Sequence, residues 1–193
     1  MQARRWMIVV MCTALAAPAI LYGQAAPATA PAAAPAMQSP GESLNTLLSI
    51  MQRQVVSAAE AMPADKYDFA PPATMGEFKG VRTFAQQVKH LAEANYEFFQ
   101  GWDVPGATAV DQKTIEALTT KDDIVKALKD SYIYAHAAIG TITPENAFLV
   151  MGKPPHTATR VMLAAFCAAH SMDHYGQMVE YLRMNGIKPP ASR

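Results

Sequence analysis

Cysteine is almost absent from this chain, which has two cysteines among 193 residues. Cys12 lies in an N-terminal apolar run, so a chain from which that run has been cleaved keeps only Cys167. A single cysteine cannot form an intramolecular disulfide, even in an oxidising compartment. The sequence therefore excludes a disulfide-stapled fold, and the stability of the domain must come from packing.

An excess of basic charge is also missing. The 16 lysines and arginines are balanced by 16 aspartates and glutamates, and without Arg4 and Arg5 the chain keeps 14 basic residues against all 16 acidic ones. Proteins that bind nucleic acid or anionic membranes usually carry a basic patch. We therefore expect no nucleic-acid partner and no basic membrane-binding face.

The N-terminus has the pattern of an export signal. Arg4 and Arg5 precede a nearly uncharged apolar run from Trp6 to Leu21, which is followed by small residues. This run is too short and too rich in alanine to favour a membrane span. We expect residues 1–25 to be a signal peptide of the general secretory or the twin-arginine type. The mature protein would then be periplasmic or secreted, with no stable membrane span.

Residues 26–40 contain almost only alanine, proline and small polar residues. Apart from Met37, this segment has no large apolar side chain from which to build a core, so we expect a disordered tether. Residues 41–193 have the length of a single domain that can bury a substantial core.

Four stretches of helical periodicity follow the tether, and three of them begin with a capping-box pattern. No alternation of apolar and polar residues lasts long enough to predict a sheet. The pattern predicts an all-α four-helix bundle in which long ordered loops join the helices. The stretches run from Ser39 to Pro63, from Thr83 to about Gln100, from Thr120 to Pro144, and from near Thr157 to Gly186.

Three histidines are candidate metal ligands. His170 and His174 are four residues apart, which places both rings on one face of a helix, where two imidazoles can hold one ion. A structural site usually takes four protein ligands, whereas an open catalytic site takes three and a water. His90 lies in the second helical stretch, and a bundle can bring it to the other two across the core.

Other interpretations of the polar residues remain open. The histidines can instead lie at the surface or bond to carboxylates without an ion, and His136 and His156 have no companion at a useful spacing. Cys167 is either a soft ligand, a nucleophile or, as is more common, a small buried apolar residue. Glu93 and Asp173, which lie close to the histidines in sequence, are candidate general bases or hydrogen-bond acceptors for the ligand rings.

Several motifs, in this order and spacing, closely resemble the DinB-like (DinB/YfiT) superfamily. The resemblance extends over about residues 42–190. The stretches that carry it are Met62–Pro71, Arg82–His90, His170–Gln177 and Tyr181–Pro190.

The resemblance implies a four-helix bundle with long crossover connections in the up-down-down-up sense, which in many members is a homodimer. It also implies a divalent metal, usually zinc or nickel, held by three histidines that map onto His90, His170 and His174. Relatives include metal-dependent thiol transferases, hydrolases and isomerases. Members that use thiol cofactors work in the cytoplasm, so the export signal of this chain argues against a thiol transferase.

Two functions follow from these observations. The first is an exported metal-dependent hydrolase or transferase that acts on a small-molecule substrate. The second is a non-catalytic bundle that binds a metal or a small ligand. A structural site in the second case would need a fourth protein ligand, for which Gln177 or Glu93 is the obvious candidate.

Overall fold

The structure is a computed structural model and describes residues 36–153 and 155–192. Within these ranges the chain is mostly helical, which confirms the predicted all-α class, and every helix is too short or too polar to cross a bilayer. The expected signal peptide and most of the expected tether lie outside the described residues. The helices are α1 (Pro40–Ala61), α2 (Phe84–Glu97), α3 (Gln112–Glu116), α4 (Lys121–Gly140) and α5 (Arg160–Met184), with strands β1 (Val150–Lys153) and β2 (His156–Thr159) before α5.

Side-chain caps determine where the long helices begin. At α1, Ser39 Oγ accepts from the N–H of Glu42, and the Glu42 carboxylate accepts from the N–H of Ser39, at 3.2 and 2.9 Å. Thr83 and Gln86 form the same reciprocal pair at α2. At α4 Thr120 accepts from the N–H three residues on, but the return bond to its backbone is missing. Each cap pairs helix N–H groups that would otherwise lack a partner, and contributes about 0.5–2 kcal/mol.

The four long helices form a closed ring. α1 packs against α4 and α5, and α2 packs against the same two helices. The order around the bundle is therefore α1, α4, α2, α5, with α1 diagonally opposite α2. Because α2 and α5 are neighbours, residues on their inward faces can meet although the helices are far apart in sequence.

Cross-helix bonds give the direction of each helix. α4 runs antiparallel to α1 and parallel to α2, and α5 runs antiparallel to α2. In chain order the helices therefore run up, down, down and up, as the family resemblance implies. The pairs that fix these directions are Asn45 with His136, Glu60 with Lys129, Asn95 with Ser131, Phe99 with Tyr134, Gln87 with Gln177, and Asn95 with Cys167.

The core lies along the axis of the bundle and is mainly apolar. Tyr132 on α4 is fully buried, and its hydroxyl donates to Ser171 Oγ on α5 at 3.0 Å. Full burial of each large apolar side chain is favourable by about 1.5–3 kcal/mol. The other large, fully buried side chains include Leu48, Phe84, Leu91, Phe99, Leu128 and Met178.

Two elements differ from the sequence prediction. The segment before α5, for which the sequence predicts a long ordered loop, contains an antiparallel hairpin in which Val150 is opposite Thr159. Both strands are short and mostly exposed, so no buried face imposes an alternating pattern. Gly152 has a φ of +84°, and a Cβ at this position would lie 2.4 Å from the carbonyl oxygen of His156. Helix α3 has five residues, too few to show a helical period.

Candidate metal centre

The structure brings together all three histidines that the sequence singles out. His90 on α2 faces His170 and His174 on α5, and the ring centroids lie 5.1, 4.8 and 4.5 Å apart. One donor atom from each ring lies within 4.8 Å of the other two. Donors bound at about 2 Å to one ion lie at most about 4 Å apart. Small ring rotations would therefore place all three nitrogens on one ion.

The burial of the rings fits a cation. His174 is 5 % exposed, and the Nε2 atom of His170 is buried without a hydrogen-bond partner. A buried polar atom left unpaired costs about 1–3 kcal/mol. A metal ion at the point where the rings converge would satisfy this nitrogen, so the residues present fit the group.

The protonation of the rings also favours an ion. Burial, and then the positive charge of Arg82, lower the pKa of His90 to about 4. Burial lowers the pKa of His174 to about 4 as well, with further contributions from the two neighbouring histidines. Burial is also the main cause of the lowered pKa of His170. All three rings are therefore neutral at neutral pH and each offers a nitrogen lone pair, as a metal ligand must.

Neighbouring side chains hold two of the rings in place. Nδ1 of His174 lies 2.6 Å from Oε1 of Gln87, a side chain of α2 that is 2 % exposed. The ring of His170 packs edge-on against Phe98, with centroids 5.4 Å apart, and lies 6.1 Å from the ring of Phe166. Sequence reasoning missed Gln87. Its only signal is its position three residues before His90, on the same face of α2.

A polar cavity of about 950 Å³ opens beside His90. Its walls come from the turn before α2, which carries Arg82, from α2 itself, and from α3, which contributes Gln112 and Glu116. Glu93 on α2 lines the same cavity and is half-buried. Burial raises the pKa of Glu93, and the nearby charge of Glu116 raises it further.

The two candidate bases occupy different surroundings. Glu93 lies in the cavity beside His90, whereas Asp173 is exposed on α5, where its carboxylate accepts from the side-chain amide of Gln177 at 3.3 Å. Among the described residues, no carboxylate or thiol joins the three histidines in the group of clustered ligand atoms. Glu93 is therefore the better placed of the two to exchange a proton with a molecule in the cavity.

The remaining candidates lie elsewhere. Cys167 is fully buried, its thiol donates to Oδ1 of Asn95 at 3.3 Å, and burial raises its pKa to about 12. This is the environment of a structural cysteine and not of a ligand or nucleophile. His136 is half-buried between Asn45 and Gln52, and His156 is exposed on the hairpin.

Comparison with known proteins places the chain in a family. The family model described as the DinB superfamily matches residues 47–178, a range that contains all three histidines and most of the four-helix ring. A search of the curated proteins finds no match. The matched range covers well over half of the chain, and the all-α architecture agrees with it. The chain belongs to the DinB superfamily.

Proposed function

We propose that this protein is a divalent-metal-dependent enzyme, a hydrolase or transferase that acts on a small polar molecule bound in the cavity beside His90. The observation that carries the proposal is the convergence of three neutral imidazoles, to which no carboxylate or thiol of the described residues adds a fourth ligand atom, together with the cavity that opens beside one of them, His90. Three protein ligands leave a coordination position for water or substrate, which is the arrangement of catalytic centres.

A closed structural site is less well supported. Gln177, one candidate for the fourth ligand, has its amide engaged by Gln87 and Asp173, at 2.8 and 3.3 Å. Glu93, the other candidate, is not part of the cluster of ligand atoms. A non-catalytic bundle that only stabilises itself with the ion would be expected to supply a fourth donor.

The side chains around the cavity suit this role. When bound, the ion supplies Lewis-acid chemistry. Glu93, whose pKa is raised, can take up and return a proton close to His90. Arg82 lines the cavity, and its positive charge acts on all three histidines, so it is placed to hold an anionic group of the substrate.

The donor set is compatible with zinc or nickel, the ions that the family resemblance implies. Three imidazole nitrogens suit zinc, copper, nickel and iron, whereas magnesium and calcium prefer oxygen ligands. We further propose that the protein acts after export and removal of residues 1–25, as the N-terminal pattern suggests. Sequencing the N-terminus of the protein recovered from the periplasm or medium tests this, since an uncleaved chain in the cytoplasm would contradict it.

Metal binding is tested with protein purified from its own compartment. Elemental mass spectrometry should find about one zinc or nickel ion per chain, and His174→Ala should lose it because only two ligands remain. His136→Ala and His156→Ala are matched controls and should retain the ion. Equal metal content in all three variants would remove the assignment.

Catalysis is tested on the metal-loaded protein with panels of ester, amide, phosphodiester and group-transfer substrates. Glu93→Gln should lower kcat by about a hundredfold or more at unchanged metal content, whereas Glu180→Gln, at an exposed acid outside the cavity, should not. If the protein holds its ion but turns over no substrate of any class, the non-catalytic binding bundle becomes the better description.

A further inference from the structure

A chain of side-chain hydrogen bonds leads from His174 to the protein surface. Nδ1 of His174 contacts Oε1 of Gln87 at 2.6 Å, and Nε2 of Gln87 donates to Oε1 of Gln177 at 2.8 Å. Nε2 of Gln177 then donates to Oδ2 of Asp173 at 3.3 Å. The chain crosses from α5 to α2 and returns to α5, one turn beyond the ligand ring.

The exposed carboxylate gives this chain a single direction. A carboxylate only accepts hydrogen bonds, so Gln177 must turn its NH₂ group toward Asp173 and its carbonyl toward Gln87. Because Gln87 donates to that carbonyl through its NH₂ group, its own carbonyl faces His174. A carbonyl can only accept a hydrogen bond from the ring. The proton of the neutral ring is therefore held on Nδ1, and the lone pair is held on Nε2.

The burial of Gln87 indicates that this arrangement is specific. A glutamine that is 2 % exposed costs free energy unless its amide is fully paired, and here both ends of the amide are paired. Rings that bind metal through one nitrogen usually donate from the other, which fixes their tautomer and orientation.

We propose that Gln87, Gln177 and Asp173 are positioning residues that fix the tautomer of His174 and aim its Nε2 at the ion. The tautomer can be measured without metal, but the role of these residues in ion binding rests on the proposed metal centre. Gln177 is thus a link to the surface and not a fourth ligand, and Asp173 acts through the two amides and not on the substrate.

Substitution of Asp173 by asparagine provides the sharpest test. Asp173→Asn preserves the shape of the side chain and its ability to bond, but it can also donate, so both amides can reverse and leave the ring without a preferred tautomer. ¹⁵N spectra of metal-free protein labelled at histidine should show His174 with its proton on Nδ1 in the wild type and a mixture in Asp173→Asn. If these residues only bridge α2 and α5, Asp173→Asn should leave the tautomer of His174 unchanged. The loss of the Asp173 charge alone should not change it either.

Affinity for Zn²⁺, measured by competition with a chelator, gives the second readout. Gln177→Met and Gln87→Met should each weaken binding about 10- to 100-fold, and Asp173→Asn should weaken it less. Gln52→Met is the matched control, because it removes a glutamine that bonds to His136, a histidine outside the centre. It should leave Zn²⁺ affinity unchanged.

The outcomes separate this proposal from the proposed function. His174 with its proton on Nδ1 in wild type and in both Asp173→Asn and Gln177→Met would overturn the positioning role, even if the protein binds Zn²⁺. A mixed tautomer in those variants, in a protein that binds no Zn²⁺, would support the directed chain and overturn the metal centre.

Discussion

The lowered pKa values of His90, His170 and His174 bear on the pH range in which the proposed centre could hold an ion. An ordinary histidine takes up its proton near a pKa of 6.5, whereas His90 and His174 do so only near 4. Protons compete with the ion for the same nitrogens. Burial also lowers the pKa of His170 below its usual value, so we expect Zn²⁺ affinity to persist to a lower pH than it would with ordinary histidines, and to be lost between about pH 6 and pH 4. Chelator competition across this range checks the prediction, and a loss that begins above pH 6 would contradict it.

The same pKa values affect the stability of the metal-free protein. The folded pKa of His90 and that of His174 are depressed, so unfolding takes up protons when the pH lies between the folded value of about 4 and the unfolded value of 6.5. Their contribution to stability is fully present above that pH and is lost as the pH falls toward about 4. We expect the metal-free wild type to lose more stability over this interval than His90→Gln, as measured by denaturant unfolding. Equal losses of stability in the wild type and in His90→Gln would mean that the ring of His90 is not held neutral.

Cys167 should be chemically inert in the folded protein. Its thiol is fully buried, bonded to Asn95, and has a pKa raised to about 12. A thiol reagent should modify it only at the rate of unfolding, and Cys167→Ala should leave Zn²⁺ affinity unchanged while costing about 1–2 kcal/mol of stability through a lost bond and a small cavity. Rapid modification of the native protein would restore the cysteine as a candidate nucleophile, and loss of the ion in the variant would restore it as a candidate ligand.

The packing of α1 against α4 depends on a glycine. A Cβ at Gly41 would lie 2.8 and 2.9 Å from the carbonyl oxygens of Ile139 and Ile142, which are backbone atoms that cannot simply move aside. Gly41→Ala should therefore lower the free energy of unfolding by about 1–3 kcal/mol. Gly176→Ala on α5, where a Cβ meets no atom within 4 Å, should raise it by about 0.5–1 kcal/mol. Denaturant unfolding of the two variants measures both changes in the free energy of unfolding. If both variants were stabilised or both destabilised, the close approach at Gly41 would be contradicted.

The long helices could be predicted from the sequence because each carries its own local signals. The capping boxes at Ser39 and Thr83 place the first helical residues of α1 and α2 correctly, and glycine or proline follows the last turn of each long helix. Helix α3 and the hairpin have no such signals. α3 is too short for periodicity, and the strands pair with each other outside the core, so nothing in their apolar pattern distinguishes them from a loop.

The partners of the candidate centre could be predicted only in part. The spacing of His170 and His174 shows that they share a face, but their meeting with His90 depends on α2 and α5 being neighbours, which helical periodicity does not specify. Gln87 was missed for a related reason. A glutamine on a helix usually faces solvent, and only the three-dimensional structure shows that it lies between two helices.

The stability of the helical domain should not depend on the residues that precede Gln38. α1 begins at Pro40 with its cap on Ser39, and the preceding segment has no large apolar side chain between Gln24 and Met37. A chain that begins at Gln38 should therefore melt at the same temperature as one that begins at Ala25. A chain that begins at Gly41 loses the cap and should be less stable by about 0.5–2 kcal/mol. A large loss of stability in the chain that begins at Gln38 would show that the residues before Gln38 contribute to the core.

The homodimer that the family resemblance implies stays a prediction for the whole molecule. Light scattering of the mature protein, with and without Zn²⁺, measures the mass directly. A monomer under both conditions would show that the cavity and the three histidines of one chain must suffice for binding.

The three histidines lie on two long helices, whereas part of the cavity wall comes from the connecting segments, with Arg82 before α2 and Gln112 and Glu116 on α3. Under the proposed function, the long helices would hold the ion and line part of the cavity, whereas the rest of the cavity wall comes from segments that can change separately. Mutations in the segment before α2 and in α3 would alter which molecules fit the cavity. The long helices that carry the three histidines would keep their geometry. A library randomised at Gln112 and Glu116 should consequently yield variants of altered ligand preference that bind Zn²⁺ as the parent does, so that new specificities can evolve on this bundle without rebuilding its centre.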